Sequence, residues 1–157
     1  MIAKNTYPWQ QDKIVRHSQL MMSSFERLTG RNLLNCTGSP NEIAKALFEA
    51  EFALVSHGIE TDPIFNYGNR KALQLWELEW DNFTAMPSRK SAQKTVQEER
   101  DKLLAETTTK GFSNFSGVRI SSSGKLFYIE DGIIWNLLDT DNNYCGQAAI
   151  YSNYKFL

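Results

Sequence analysis

Apolar residues recur at helical spacing in the first third of the chain and alternate with polar ones in the last. Between Gln10 and Thr29, Ile14, Met21, Phe25 and Leu28 follow one another at intervals of seven, four and three, which puts them on one helical face. Gly30 stands where such a helix stops. Ser39-Pro40-Asn41-Glu42 combines a capping box with proline at the first helical position, and Ile43, Leu47 and Ala50 give the short helix behind it an apolar stripe. At Phe52 the pattern changes. "FALVSHG" and "IFNY" are short, mostly apolar and separated by the turn signal Thr61-Asp62-Pro63, so they read as two strands.

Asn69 is a candidate cap for "RKALQLWEL", which shows Ala72, Leu75, Trp76 and Leu78 to a core. "EWDNFTAMPSRKSAQ" is irregular. Thr95-Val96-Gln97-Glu98 reads as a second capping box, opening a helix through Leu103 and Leu104 that ends before Gly111. The last third holds three strand-like runs joined by Ser123-Gly124, which suits a tight hairpin, and by the longer "DTDNN". Val118 and Ile120 alternate with Arg119 and Ser121, so Arg119 is expected on a solvated face.

Composition narrows the class. With 157 residues, 41% of them hydrophobic and 12% aromatic, the chain can bury a core without disulfide or metal support. Lys plus Arg number 17 against 18 for Asp plus Glu, a balance that offers no attraction for nucleic acid or an anionic membrane. Cys36 and Cys145 match no zinc or thioredoxin-type spacing and read as reduced thiols; a redox-sensing role would have to rest on this pair. The N-terminus lacks a signal-peptide core and no apolar run approaches a membrane span, so the expected location is cytoplasmic.

Two strands, several short helices, then three antiparallel strands is an order that resembles PAS domains. The wording goes further. "SHGIETDPIFNYGNRKALQLWELEW", "PSRKSA", "QEER", "GVRISSSGKLFYIED", "WNLLD" and "GQAA" resemble, in this order, the MEKHLA family, a PAS-like group. That family includes stand-alone bacterial proteins and the C-terminal part of plant class III homeodomain–leucine zipper regulators. The likeness is close from Ala50 to Ser152, and "YPWQ" and "LTGRNLL" look like the lead of the stand-alone members. It implies an α+β fold: a PAS-like five-stranded antiparallel sheet with helices on one face, residues 51–157, preceded by an N-terminal helical extension, residues 1–50. It also implies a sensing, regulatory or dimer-controlling role. The "NCRFLQ" box of flavin-binding light sensors is absent. Neither histidine lies in the 96–110 helix, where a haem ligand is expected.

On this reading, a small ligand or a protein partner binds in a pocket between sheet and helices. His57, Asn66, Trp76, Arg89, Asn136 and Gln147 are the candidate ligand-binding residues. Arg89 is expected to pair internally with Glu60, Asp62 or Glu77. Asn136 and Gln147, amides within apolar strands, need partners wherever they are buried. Trp135 and Asn136 must point to opposite faces. No three-ligand metal constellation is evident. The helix at Gln10–Thr29 either forms a homodimer interface or covers its own sheet. The alternative is a small cone-shaped α+β enzyme in which His57, oriented by Asp62 or Glu60, performs proton transfer or hydrolysis.

Overall fold

The computed structural model describes residues 7–157. The first six residues of the N-terminal extension lie outside this range. Helix α1 spans Asp12–Thr29 and ends on Gly30, whose φ of 74° lets its N–H return to the Glu26 carbonyl. Ile14, Met21 and Phe25 are buried as their spacing predicts, and Leu28 is half-buried. Helix α2, Pro40–Phe48, opens with the predicted box: Ser39 Oγ accepts from the Glu42 N–H at 3.2 Å, and Glu42 Oε1 accepts from the Ser39 N–H at 2.9 Å. Its buried stripe is Ala44, Leu47 and Phe48, so the helix is turned by one position from the expected face.

Strands β1 (Ala53–His57), β2 (Phe65–Gly68), β3 (Phe112–Ile120), β4 (Leu126–Leu138), β5 (Tyr144–Tyr151) and β6 (Asn153–Phe156) form one antiparallel sheet in the order β2-β1-β5-β4-β3. β6 keeps the register against β4 that β5 sets, with Ile133 opposite Ile150 and Glu130 opposite Asn153. The sheet is thus five strands wide, as expected, with its last strand prolonged past Ser152.

Helices α3 (Arg70–Trp76), α4 (Trp80–Phe83) and α5 (Gln97–Lys110) lie between β2 and β3 in the chain. They accompany one face of the sheet, where Ala53, Val55, Phe127, Ile129 and Tyr151 pack with Ala72, Leu75, Trp76 and Phe83. The opposite face carries Leu54, Trp135, Leu137 and Ala148 and is covered by α1 and α2. Helices therefore flank both faces: the one-face expectation holds for those between β2 and β3, and the extension takes the other side. Strand alternation separates Trp135 from Asn136 as predicted.

Covering that second face uses the whole stripe of α1. Phe25 meets Trp135 edge-on at 4.8 Å, Trp135 Nε1 donates to the Met21 carbonyl at 3.2 Å, and Ser24 Oγ both donates to the Leu138 carbonyl and accepts from its N–H. The stripe belongs to the chain's own core, which removes the apolar surface that a homodimer through this helix requires.

The expected cap of α5 does not form. A 3-10 turn, Lys94–Val96, precedes it, and Val96 sits at the N-cap with no side-chain bond. The entry is held instead by Gln97 Nε2, which donates to the carbonyls of Arg89 and Ala92 at 2.6 and 2.8 Å.

Gly146 shows how tightly β5 and β1 approach. Its φ is 129°, and a Cβ there would lie 2.1 Å from the His57 carbonyl oxygen. No flexible side chain can yield, because the obstacle is backbone. Gly146→Ala is expected to cost about 2–3 kcal/mol by overpacking. A urea midpoint equal to that of the parent chain would contradict this close approach.

Candidate functional site

β1 ends by turning His57 toward α5. The side chain is 6% exposed, and its Nδ1 lies 2.9 Å from Ser88 Oγ. Ser88 is brought there by a 3-10 turn, Ser88–Ser91, whose first N–H bonds the Pro63 carbonyl at 2.8 Å. Arg100 Nη2 donates to the same Ser88 oxygen at 2.6 Å. A guanidinium only donates, so Ser88 Oγ accepts from Arg100, and the serine keeps one proton that it can give to Nδ1 of the neutral His57 ring. Burial pushes the imidazole from its ordinary 6.5 down to about 4, and the Arg100 charge pushes the same way; the Gln147 amide and the Glu60 carboxylate pull partly against them.

Gln147 is the register partner of both His57 and Asn136, so the three form a polar row across β1, β5 and β4. Each of its ends is held. Gln147 Nε2 donates to the Leu104 carbonyl, Thr108 Oγ1 and Asn136 Oδ1 at 3.1–3.3 Å, and Asn136 Nδ2 donates to the Thr108 carbonyl at 3.2 Å. These bonds fasten α5 to the sheet and answer the demand for partners that buried amides make.

Beside this row lies a cavity of about 60 Å³. His57 and Gln147 form one end. Trp76, Phe115, Arg119 and Tyr151 stand around the other, with Arg100, Leu103 and Leu104 of α5 on one wall. Trp76 and Tyr151 are each 3% exposed, and neither Trp76 Nε1 nor the Tyr151 hydroxyl has a hydrogen-bond partner among the described residues.

Of the residues singled out from the sequence, the structure brings His57, Trp76 and Gln147 to the cavity. Asn136 is buried beside them and serves Gln147 and α5. Asn66 is on the wrong side: its Oδ1 accepts from Ser56 Oγ, which in turn accepts from His17 Nε2 at 2.8 Å against the α1 layer. Arg89 is also outside. It is exposed, and its Nε meets both carboxylate oxygens of Asp62 at 3.1 Å, the internal pair the sequence suggested. Glu60 Oε1 accepts from the Ile64 N–H at 3.1 Å. Neither carboxylate hydrogen-bonds His57, so the His–Asp or His–Glu pair of the enzyme alternative is not formed. The histidine's own side-chain contact is the Ser88 hydroxyl.

Arg119 corrects a second expectation. It shares the cavity face with Phe115 and Phe127, its guanidinium carbon lying over the Phe115 ring at 5.6 Å from the centroid, with Nη1 donating to the Val118 carbonyl at 2.9 Å. Near the sheet edge an arginine can use its aliphatic stem as the apolar element of the alternation. Arg100 was missed altogether. Arg100, Leu103, Leu104 and Thr107 recur at helical spacing, and that shared face is the signal that could have placed a charge against the core.

A 2-1-5-4-3 antiparallel sheet with helices between its second and third strands closing a cavity on one face defines the PAS class. Solved structures agree. The PAS domain of a protein from Colwellia psychrerythraea is similar at 12% identity and a TM-score of 0.64, over 74% of this chain and 94% of that one. The photo-excited blue-light photoreceptor Vivid is similar at 11% identity and a TM-score of 0.57, over 85% and 94%. The PAS domain, in complex with ethanol, of a LuxR-family transcriptional regulator from Burkholderia thailandensis is similar at 14% identity and a TM-score of 0.54, over 72% and 95%. Within that class the chain belongs to the MEKHLA domain family, whose model matches residues 15–156. None of the curated protein sequences matches it.

The cavity is well below the roughly 300–1,000 Å³ of common small-molecule pockets. Among the described residues no three His, Cys, Asp or Glu side chains group as a metal site, Cys36 and Cys145 are free and half-buried, and no helix is long and apolar enough to cross a membrane.

Proposed function

We propose that the chain is a sensory or regulatory module that takes a small molecule into the cavity between α5 and the sheet. The observation that carries this reading is that two side chains lining the cavity, Trp76 and Tyr151, each hold a buried polar atom, Nε1 and the hydroxyl, without a hydrogen-bond partner among the described residues. Such groups raise the free energy of the chain until a ligand or water satisfies them, and a ligand that does so favours the conformation in which they face inward.

A route outward exists in β1. Ser56 and His57 are adjacent, and strand alternation sends His57 to the cavity and Ser56 to His17 of α1. Displacement of β1 or α5 by a ligand thus reaches the α1–α2 layer, where a partner would read it. In this proposal residues 1–50 form the readout layer, residues 51–157 form the sensing domain, and the module works in the cytoplasm.

Native mass spectrometry of protein purified without refolding tests the reading. A small-molecule adduct is expected on the parent chain and absent from Ala149→Leu, which fills the cavity from the sheet. Identical spectra of two folded proteins, with thermal midpoints that no small polar molecule moves, would count against a ligand in this cavity.

A further inference from the structure

The two arginines at the cavity have an unusual feature in common. Arg100 is 8% exposed and donates to a neutral serine; Arg119 donates to a neutral carbonyl. The ion pairs within 4.0 Å among the described residues join Arg70 to Glu49, Arg89 to Asp62 and Lys125 to Glu77, and none includes either arginine. Arg119 is half-buried, and the nearest carboxylates, Asp101 and Asp62 for Arg100 and Glu99 for Arg119, act on them from beyond contact distance; a buried guanidinium is ordinarily paired directly, because the cost of removing its charge from water is otherwise uncompensated.

The rings beside these charges are neighbours. Trp76 lies 6.0 Å from Tyr151, Tyr151 lies 6.4 Å from Phe115, and the Arg119 guanidinium stands 5.6 Å over Phe115. Arg100, Phe115 and Arg119 also line a second cavity of about 130 Å³ in the groove between α5 and β3, continuous in its lining with the first. A donor-only indole N–H, a phenol and two guanidinium groups together seek acceptor oxygens carrying negative charge. The remaining wall, which includes Val55, Leu103, Ile129 and Ile134, is apolar. A tetrahedral oxyanion would press oxygens against that wall, whereas a carboxylate with a short alkyl tail presents each end to matching chemistry.

We propose that the cavity is the binding site of a small monocarboxylate, its carboxylate held by Arg100 and Arg119 with the Trp76 N–H and the Tyr151 hydroxyl, its tail against the apolar wall. This rests on the sensory reading and names its ligand class. At about 10–15 Å³ for each water-sized volume, the 60 Å³ cavity accepts about four to six non-hydrogen atoms, the size of acetate to butyrate. The groove between α5 and β3, which both arginines and Glu99 line, is the entry, and there the two positive charges outnumber the one carboxylate. Burial and the Arg119 charge lower Arg100 only to about 10, so the guanidinium remains charged at neutral pH.

The test uses the full chain, dialysed against a buffer free of organic anions and titrated at constant ionic strength with sodium acetate, propionate and butyrate, with propionamide and inorganic phosphate in parallel. A saturable rise in thermal midpoint is expected with propionate and not with propionamide. Arg119→Gln and Arg100→Gln should each weaken propionate binding at least tenfold. Tyr151→Phe removes only an unpartnered hydroxyl. It should leave the ligand-free protein as stable as the parent, or more so, while weakening propionate several-fold, which keeps the test valid should an arginine variant fail to fold. Equal response to propionamide, or response to phosphate alone, overturns the carboxylate assignment and leaves a ligand-binding module standing. No response to any of these probes, together with a neutral adduct by native mass spectrometry, does the same. No response and no adduct removes both.

Discussion

Asn69→Ala is expected to lower stability by about 4 kcal/mol or more, the largest effect of a single substitution outside the cavity. The side chain is fully buried and makes four bonds. Its Oδ1 accepts from the Ala72 N–H at 3.1 Å, which caps α3, and from the Leu54 N–H at 3.0 Å, which ties that cap to β1. Its Nδ2 donates to the Leu47 and Phe52 carbonyls at 3.2 and 2.9 Å, which fixes the end of α2 and the entry to β1. Loss of the cap alone costs about 1 kcal/mol, and each of the three other buried backbone groups left without a partner adds about 1 kcal/mol or more. Asn69→Ser keeps an oxygen that can cap α3 and loses both donor bonds, so its urea midpoint should fall between those of parent and alanine variant. Equal losses for Ser and Ala would mean that the tie to α2 dominates and the cap contributes little.

Asn69 also marks the boundary of what a sequence shows. Its cap was legible, because capping is local and leaves a signature four residues long. Its bonds to Leu47, Phe52 and Leu54 were not, since they join the end of one helix to the start of another through a strand. The same division runs through the cavity. Strands and helices follow hydrophobic period, and the antiparallel order follows their sequence, so the architecture was readable. His57, Trp76 and Gln147 were identifiable as polar or aromatic interruptions of apolar runs. The His57–Ser88 contact spans 31 residues and the Gln147 bonds to Leu104 and Thr108 span about 40, and no periodicity encodes them. Arg119 was placed on the wrong face for a different reason. Alternation at a sheet edge states that two faces differ without stating which one is covered, and a long aliphatic stem allows arginine to take either.

Acid should destabilise the chain well before its carboxylates titrate. Two histidines are held neutral, His57 buried and His17 half-buried. His57 lies in the cavity network, and His17, with Nε2 on Ser56 Oγ and its ring 6.0 Å from Tyr67, is pushed by burial from 6.5 to about 4. The unfolded chain takes up both protons near pH 6.5 and the folded one resists to about pH 4. Between these values the unfolded state binds more protons, so stability is complete above pH 6.5 and falls as the pH drops through the window. Each histidine accounts for a loss of about 2 kcal/mol by pH 5, about 4 kcal/mol together. Glu42, Glu77 and Asp139 also sit below their ordinary values, each held by hydrogen bonds to its anionic form, but they titrate below pH 4.5 and leave the interval from pH 7 to 5 to the histidines. Urea unfolding at pH 7 and pH 5 should show a loss roughly halved in His17→Gln or His57→Gln and nearly abolished in the double variant. A double variant with the parent's full acid sensitivity would require another group, ionising between pH 5 and 7, to be buried in this fold. His17 of α1 bonds Ser56 on one face of β1 and His57 projects from the other, so their protonation loosens the α1 layer and the cavity through one strand, and acid sensitivity and ligand response should change together in either single variant.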